Sequence, residues 1–215
     1  MSTEISVSLT VNGERVTRRV EARRHLVDFL RLDLGLMGTH TGCEHGVCGA
    51  CTVRVDGKIV RGCLVLAAAL EGSTVETIEG VSDSGEIRDL QEAFVIRNAC
   101  QCGYCTPAML LTVADLLKSN PRPSRQEIRE HISGNYCRCT GYHAIVDAVE
   151  AAAGARAKSP TDSPPHRAGG ASSTRRGEGL GVGGATTANA LRSPPPVPSP
   201  TRGEGVSARS GKAAP

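Results

Sequence analysis

The sequence predicts an α+β protein in which a small sheet domain precedes a helical domain. Three observations predict this class. Residues 1–80 alternate apolar and polar positions around two turn signals, as the strands of hairpins do. Residues 81–154 repeat their apolar positions at helical spacing instead. Residues 155–215 follow neither pattern and are rich in proline and glycine, so they are predicted to form no third core.

The first domain is predicted to contain two hairpins, one helix and a cysteine-rich loop. Asn12-Gly13 and Asp56-Gly57 are the turn signals, and alternating residues flank each of them. An amphipathic helix is predicted from His25 to Leu34, and a glycine-rich loop follows it over residues 36–51. A last short strand is predicted at residues 74–78, and the domain is expected to end near residue 80.

The second domain is predicted to be a bundle of four short helices joined by brief links. The first helix carries apolar residues from Ile87 to Val95, and the second opens at Thr106-Pro107, with proline in the first turn. Ser124 and Glu127 form a capping-box pair at the start of the third helix. The fourth helix is predicted to run from Tyr142 to Gly154.

The charges of the chain are distributed unevenly. The 215 residues include 25 basic and 22 acidic side chains, a formal net charge of +3. Nine of the basic and three of the acidic residues lie in residues 155–215, so the two predicted domains are net negative. A basic nucleic-acid surface is therefore not expected on them. Residues 155–215 contain no Ile or Phe and are predicted to be disordered, because they cannot bury enough apolar area to offset their ordering entropy.

The sequence predicts a cytoplasmic protein that does not enter a membrane. No apolar run approaches the ~20 residues that a bilayer requires, and the first residues lack the basic and apolar regions of a signal peptide. The cytosol keeps thiols reduced, so metal or redox chemistry explains the nine cysteines better than disulfides do.

Four cysteines of the first domain have the spacing of a plant-type [2Fe–2S] site. They are Cys43, Cys48, Cys51 and Cys63. Three thiolates from one loop must surround a compact anionic cluster, and the glycines at positions 42, 46 and 49 permit the tight turns that this requires. Four thiolates can also bind zinc, but zinc sites usually consist of two short cysteine pairs. Here three cysteines lie close together in one loop and the fourth follows later. This spacing favours an iron–sulfur cluster over zinc.

The second domain contributes two cysteine pairs, whose spacing alone leaves zinc open as an alternative. The four residues are Cys102, Cys105, Cys137 and Cys139. Thr106 follows the first pair and Thr140 the second, and each precedes a helical pattern. As N-caps they would direct the positive ends of two helix dipoles at one site, which favours an anionic cluster.

The remaining polar residues indicate no catalytic site. Cys100 lies outside both sets, two residues before Cys102; an alternative ligand is one interpretation of it, and a small buried core residue is the favoured prediction. A Rieske-type site needs two histidines in place of two cysteines, and here both sets of four are complete. The sequence contains no glycine-rich phosphate loop, no Ser/His/Asp arrangement and no paired carboxylates in a cleft. The chain is therefore expected to hold redox centres without a catalytic residue or a substrate site of its own.

Three segments carry these cysteines in recognisable motifs. They are GCEHGVCGACTVRVDG at residues 42–57 followed by Cys63, QCGYCTPAML at residues 101–110, and GNYCRCTGY at residues 134–142. In this order they resemble the iron–sulfur small subunit of the xanthine oxidase family, the small chain of molybdenum hydroxylases of the carbon monoxide dehydrogenase and 2-furoyl-CoA dehydrogenase type. The resemblance covers roughly residues 3–154. It implies a β-grasp, ferredoxin-like first domain and a four-helix second domain, each with one [2Fe–2S] cluster.

The resemblance also implies partner subunits that hold the other cofactors, molybdopterin in a large subunit and FAD in a medium subunit, in a dimer of heterotrimers. It implies that the second-domain cysteines receive electrons from molybdenum and that the first-domain cysteines pass them to the flavin. Gln101 resembles the family glutamine that approaches the pterin.

Three functions are open at this point. The first is an electron-transfer subunit of a molybdenum-containing oxidoreductase. The second is a free-standing ferredoxin with two clusters, and the third is a zinc-stabilised binding module. The resemblance favours the first function. The helical domain favours it as well, because a ferredoxin that works alone does not need a second domain to present its cluster to a partner.

Overall fold

The structure is a computed structural model that describes residues 4–158. Within this range the chain forms one five-stranded sheet, followed by most of the helices, and this confirms the predicted α+β class. The disordered segment predicted for residues 155–215 lies, from residue 159 onward, outside the described residues. The strands are β1 (Glu4–Val11), β2 (Glu14–Glu21), β3 (Thr52–Val55), β4 (Lys58–Arg61) and β5 (Thr74–Glu76).

The sheet has the order β2-β1-β5-β3-β4 and is built from the two predicted hairpins. β1 pairs antiparallel with β2, and β3 pairs antiparallel with β4. The turn residues Asn12 and Gly13 have φ angles of 50° and 86°, and Asp56 and Gly57 have φ angles of 47° and 79°. Two successive positive φ angles match the twist of a two-residue hairpin turn. β5 then lies between the hairpins, parallel to β1 and antiparallel to β3.

The helix predicted at residues 25–34 is only partly α-helical. α1 (Leu26–Asp28) passes directly into a π-helical turn, Phe29–Asp33. Phe29 and Leu30 are fully buried under the sheet, whereas Leu32, which the helical pattern placed on the apolar face, is 70% exposed. The wider π turn shifts the positions that follow it around the helix axis, so the 3.6-residue spacing no longer identifies the buried face.

The second half contains five helices among the described residues. They are α2 (Ile78–Asp83), α3 (Arg88–Ile96), α4 (Thr106–Ser119), α5 (Arg125–Ile132) and α6 (His143–Lys158). The last four correspond to the predicted helices, and the capping box of Ser124 and Glu127 is present at the start of α5. α2 was not predicted, and the expected domain boundary at residue 80 falls inside it. Val95, predicted on the apolar face of α3, is 72% exposed because Leu90 and Phe94 occupy the buried face.

Two apolar clusters form the interior, one beneath the sheet and one among the helices. The first contains residues of β1, β3 and β5 together with Leu26, Phe29 and Leu30. The second is centred on α4 and α6 and contains Phe94 and Met109. Aliphatic residues supply nearly all of both clusters, as expected for a chain with two Phe and no Trp.

A buried guanidinium joins the two halves. Arg54 of β3 is 2% exposed and donates to Glu76 of β5 at 3.1 Å and to Glu86, ahead of α3, at 3.0 Å. Lys118 of α4 also contacts Glu86, at 3.1 Å. Burial raises the pKa of the Glu86 carboxyl, but the hydrogen bonds and charges of Arg54 and Lys118 outweigh burial and lower that pKa overall. The sheet and the helices therefore share one buried ionic contact.

α6 continues beyond Gly154, where the sequence pattern predicted its end, to Lys158. The added turn carries Arg156, which donates to Asp89 of α3 at 2.6 and 2.9 Å and to the backbone carbonyl of Glu86 at 3.2 Å. The predicted end of this helix at Gly154 was therefore wrong. A glycine inside a helix costs stability but does not end it when the next turn finds a partner. None of the helices in residues 4–158 is long and apolar enough to cross a membrane.

We expect a chain that stops after Gly154 to be less stable than a chain that stops after Lys158. The shorter chain loses Arg156 and its ion pair with Asp89. Both side chains are about one-third exposed, so solvent screening limits the loss to about 1 kcal/mol of unfolding free energy. Denaturant unfolding of the two chains measures the difference, and equal unfolding free energies would contradict the expectation.

The pH dependence of that difference identifies the ion pair as its cause. Burial raises the pKa of Asp89, but the hydrogen bonds and charge of Arg156 outweigh burial and hold the pKa below its ordinary value. A carboxyl with a lowered folded-state pKa stabilises the protein above its unfolded-state pKa of about 4 and loses that contribution as the pH falls through the lowered value. The gap between the two chains should be full at neutral pH and should narrow below about pH 4.

Candidate functional site

The loop with three of the first-domain cysteines lies between α1 and β3, and its backbone turns back toward its own sulfur atoms. The N–H of Cys48 donates to Sγ of Cys43 over 3.3 Å. Gly46 and Gly49 have φ angles of 83° and 75°, a conformation that glycine adopts without a steric penalty. The loop is therefore built so that an amide donor faces a sulfur atom.

The fourth cysteine of this set, Cys63, belongs to the short 3-10 turn that follows β4. Its N–H donates to Sγ of Cys51 over 3.4 Å, and both side chains are buried beside Val27. Burial raises the pKa of the Cys51 thiol to about 11, with the nearby thiols of Cys63 and Cys48 also opposing its ionisation. These contacts bring the sulfur atoms of three separate chain positions into one group.

Cys43 lies at the open side of the same group. The N–H of Cys48, followed by the backbone near His45, lowers the pKa of the Cys43 thiol to about 6. The thiolate is the form of cysteine that binds metal. The Cys43 thiol therefore ionises more readily than the buried Cys51 thiol.

The second-domain cysteines come from two loops that meet. Cys105 directly precedes the first residue of α4, and Cys137 and Cys139 lie between α5 and α6. Burial raises the pKa of the Cys105 thiol to about 12, and the neighbouring thiols of Cys137 and Cys102 add to this increase. Cys139 contacts Cys102. All four predicted sulfur donors of this set are thus close together.

Thr106 and Thr140 do not cap helices as the sequence pattern predicted. Thr106 is the first residue of α4, with Cys105 in the N-cap position. The Thr140 hydroxyl accepts from the N–H of Tyr142 at 3.1 Å and lies 3.1 Å from Sγ of Cys137. Burial raises the pKa of Cys137, but hydrogen bonds from Thr140 and from the amides of Cys139 and Thr140 outweigh burial and lower it. Thr140 therefore interacts with sulfur through its side chain.

Each group of four thiols has donors that fit a [2Fe–2S] cluster. The thiols lie in neighbouring pairs, which are Cys43 with Cys48, Cys51 with Cys63, Cys105 with Cys137, and Cys102 with Cys139. Two irons that each take two thiolates require such pairs. In residues 4–158 no three or more His, Cys, Asp or Glu side chains surround the position of a single ion. The burial that raises the thiol pKa values is offset when a cation lies against the sulfur.

Two residues that the sequence analysis singled out lie beside the second group. Cys100 is exposed, so its prediction as a buried core residue was wrong. It lies in the turn after α3, where the Thr106 hydroxyl donates to its Sγ at 3.6 Å. Gln101 is exposed on the same turn.

The contacts between the two cysteine groups were not predicted. The N–H of Tyr136 donates to the carbonyl of Cys48 over 2.8 Å. Tyr104 donates its hydroxyl to the carbonyl of Thr41 at 2.6 Å, and its ring stacks on His40 with centroids 4.5 Å apart. The cysteine-bearing loops of the two halves therefore contact each other at two places.

Two family models cover these loops. Residues 9–105 match the 2Fe-2S iron-sulfur cluster binding domain, and residues 77–150 match the [2Fe-2S] binding domain. Together they include all eight cysteines of the two groups. The matched families and the thiol geometry define an iron–sulfur protein.

The most informative relatives belong to larger enzymes. The chain is 50% identical over 148 residues to the nicotine 6-hydroxylase small subunit of Paenarthrobacter nicotinovorans, covering 69% of this chain and 89% of that one. It matches a chain of quinoline 2-oxidoreductase from Pseudomonas putida 86 with a TM-score of 0.68 and 47% identity, over 74% of this chain and all of that chain. It matches aldehyde oxidoreductase from Desulfovibrio gigas with a TM-score of 0.66 and 41% identity, over 73% of this chain and 18% of that chain.

The chain therefore belongs to the iron–sulfur small subunits of the xanthine oxidase family of molybdenum hydroxylases. Its role is that of an electron-transfer subunit of an oxidoreductase.

We expect Gly49→Ala to disrupt the thiol groups and Gly57→Ala to leave them intact. Both glycines have positive φ angles, so each alanine incurs a backbone cost of about 1–2 kcal/mol. A Cβ at position 49 would also lie 2.3 Å from the carbonyl oxygen of Gly134, whereas a Cβ at position 57 would meet nothing within 4 Å.

Iron content after reconstitution and the thermal unfolding midpoint measure the two effects. The Gly57→Ala variant should lose some stability and keep its iron. A Gly49→Ala variant with unchanged iron content would contradict the close approach of the two loops.

Proposed function

We propose that this chain passes electrons from a molybdopterin centre to FAD through two [2Fe–2S] clusters within a heterotrimeric molybdenum hydroxylase. One cluster is bound by Cys102, Cys105, Cys137 and Cys139, and the other by Cys43, Cys48, Cys51 and Cys63. The observation that carries the proposal is the presence of two groups of paired thiols whose loops contact each other. When bound, each cluster supplies a site that takes up and releases one electron at a time.

The protein residues around the sulfur atoms hold and tune these sites. The N–H groups of Cys48 and Cys63 donate to Sγ of Cys43 and Cys51, which stabilises negative charge on the thiolates. The Thr140 hydroxyl acts in the same way on Cys137. Hydrogen bonds to sulfur are one of the means by which proteins set the potential of an iron–sulfur cluster.

The surfaces beside the two thiol groups differ, and this difference supports a separate partner subunit for each group. Next to the first group, Val47 and Leu64 are large apolar side chains that are 45% and 64% exposed. Contiguous exposed apolar side chains mark protein–protein contacts; Leu64 lies against the loop at Gly46, next to Val47, and we assign this surface to the FAD subunit. Next to the second group, Cys102, Cys139 and Gln101 are exposed. We assign this polar surface to the molybdopterin subunit, with Gln101 near the pterin.

The relatives support partner subunits over a free-standing ferredoxin. In the aldehyde oxidoreductase of Desulfovibrio gigas the matching region is only 18% of a larger chain, so there the same two domains work inside a larger enzyme. The names of the relatives refer to nicotine, quinoline and aldehydes, while the small subunit keeps one fold. We therefore assign substrate choice to the large subunit and propose a dimer of heterotrimers.

We also propose which domain holds each cluster and in which compartment the protein is located. We assign the first cluster to the sheet domain, which precedes α2, and the second cluster to the domain that contains α3 to α6. None of the nine cysteines, all within residues 4–158, forms a disulfide, and we propose a reducing compartment, the cytoplasm.

We expect the full chain to contain about four irons and four inorganic sulfides, in two distinct [2Fe–2S] environments. Metal analysis and low-temperature EPR of the reduced protein measure both quantities. Cys100→Ser serves as the control and should change neither, because Cys100 lies outside both groups. One zinc per chain, or a single EPR species that integrates to one spin, would rule out the two-cluster proposal.

Serine substitutions should interrupt electron flow at different points. An alkoxide is a poorer ligand for iron than a thiolate, so each substitution should weaken its own cluster. In the purified complex, Cys105→Ser should leave both the remaining cluster and the flavin oxidised after substrate is added. Cys48→Ser should allow reduction of the second-domain cluster and leave the flavin oxidised.

Rapid-mixing absorption and freeze-quench EPR follow the order of these events. Normal flavin reduction in a Cys48→Ser complex that lacks the first-domain cluster would contradict the proposed route. A small chain that purifies without large partner subunits would favour the ferredoxin alternative.

A further inference from the structure

A buried polar network lies between the two cysteine-bearing loops, and Asn135 is its centre. Asn135 is 1% exposed. Its amide nitrogen donates to the carbonyl of Gly49 at 3.2 Å and reaches the Thr52 hydroxyl at 3.5 Å. Its amide oxygen accepts from Arg61 at 3.4 Å and from the Thr112 hydroxyl at 3.2 Å, and that hydroxyl shares its one hydrogen with the carbonyl of Ala108 at 2.9 Å. One side chain thus joins the first cysteine loop, the sheet and α4.

The other members of the network bind one another as well. The Thr52 hydroxyl donates to the carbonyl of Gly49 at 2.6 Å and accepts from Arg61. Arg61 donates to the carbonyl of Gly134 at 2.8 Å. Buried polar groups that lose a partner cost more than the hydrogen bond contributes, so the network resists any separation of Gly49 from Gly134 and Asn135.

This network holds in place the hydrogen bond between the N–H of Tyr136 and the carbonyl of Cys48. Cys48 belongs to the first thiol group, and Tyr136 is bonded directly to Cys137 of the second. From Sγ of Cys137 to Sγ of Cys48 the path follows covalent bonds with one interruption, the 2.8 Å hydrogen bond. Electrons tunnel more readily along bonds and short hydrogen bonds than across open contacts.

We propose that Asn135 is a positioning residue for electron transfer between the two clusters, which crosses at the hydrogen bond from Tyr136 to Cys48. The inference rests on the proposed function, since it needs both clusters. In the step, the second-domain cluster loses one electron and the first-domain cluster gains it. No bond forms or breaks, and no proton moves.

A second contact between the loops offers the matched control. Tyr104 lies between Cys102 and Cys105, and its hydroxyl donates to the carbonyl of Thr41, two residues before Cys43. Tyr104→Phe removes this hydrogen bond and leaves the Asn135 network untouched. If electrons crossed there, this variant would be the slower one.

The test uses the full chain with both clusters, reduced by a flash photoreductant with less than one electron per chain. Time-resolved spectra follow the redistribution of the electron between the two clusters. Asn135→Leu keeps roughly the same volume and removes the hydrogen bonds, and we expect slower redistribution, because the loop contact that carries the tunnelling path is loosened. Iron content and both reduction potentials should stay unchanged. Tyr104→Phe should redistribute at the wild-type rate.

Hydrogen–deuterium exchange gives a readout independent of electron flow. The Tyr136 amide should exchange faster in Asn135→Leu than in the wild type. A fully loaded Asn135→Leu chain with the wild-type rate, or a Tyr104→Phe chain that is slowed as much, would overturn the inference. A wild-type chain with fewer than two clusters would overturn the proposed function itself, and the inference with it.

If Asn135→Leu fails to take up its clusters, a pair of substitutions at Thr112 replaces it. Thr112→Val removes the hydroxyl that donates to Asn135, and Thr112→Ser retains it. Slower redistribution in Thr112→Val than in Thr112→Ser would support the inference, and equal rates would overturn it.

Discussion

Eight sulfur atoms must approach one another in two groups of four, and the rest of the structure accommodates this crowding. Each thiolate repels its neighbours, and burial makes its charge more costly still, as the raised pKa values of Cys51 and Cys105 show. Within residues 4–158, backbone amides and one threonine hydroxyl, rather than lysine or arginine side chains, form hydrogen bonds to these sulfur atoms. The loops must therefore turn tightly, and φ is positive at Gly46 and Gly49 of the first cysteine loop and also at Glu44.

This arrangement also explains why the two apolar clusters are not independent. Each is small and mostly aliphatic, and between them lies a polar contact that contains Asn135, Thr52 and Thr112, all almost fully buried. Such a contact stabilises one relative placement of the loops and no other, because a shift would leave several donors and acceptors without partners. The thiol groups are thereby held at a fixed separation.

The sequence allowed both hairpins, four of the helices and the two sets of cysteines to be predicted, because turn residues, capping pairs and cysteine spacing act locally. It did not predict the π-helical turn at Phe29–Asp33, since the same apolar residues fit a regular helix. The sequence analysis wrongly predicted that Cys100 is buried in the core. Cys100 lies beside the second cysteine loop, where no periodic apolar pattern indicates whether a residue is buried or exposed. Asn135 lies two residues before Cys137, in the motif GNYCRCTGY. Its hydrogen-bond partner Thr52 is 83 residues away in the sequence, and no local sequence pattern indicates a contact between residues so far apart.

Arg54 links the sheet half of the chain to the helical half. Its guanidinium is buried between one carboxylate from the sheet, Glu76, and one from the helical half, Glu86. Without the helical half, Arg54 would lose Glu86 and keep Glu76 as its ion-pair partner. A segment that resembles a portable module in sequence is thus tied to its neighbour, and a domain exchange in this chain should keep Arg54 together with Glu86.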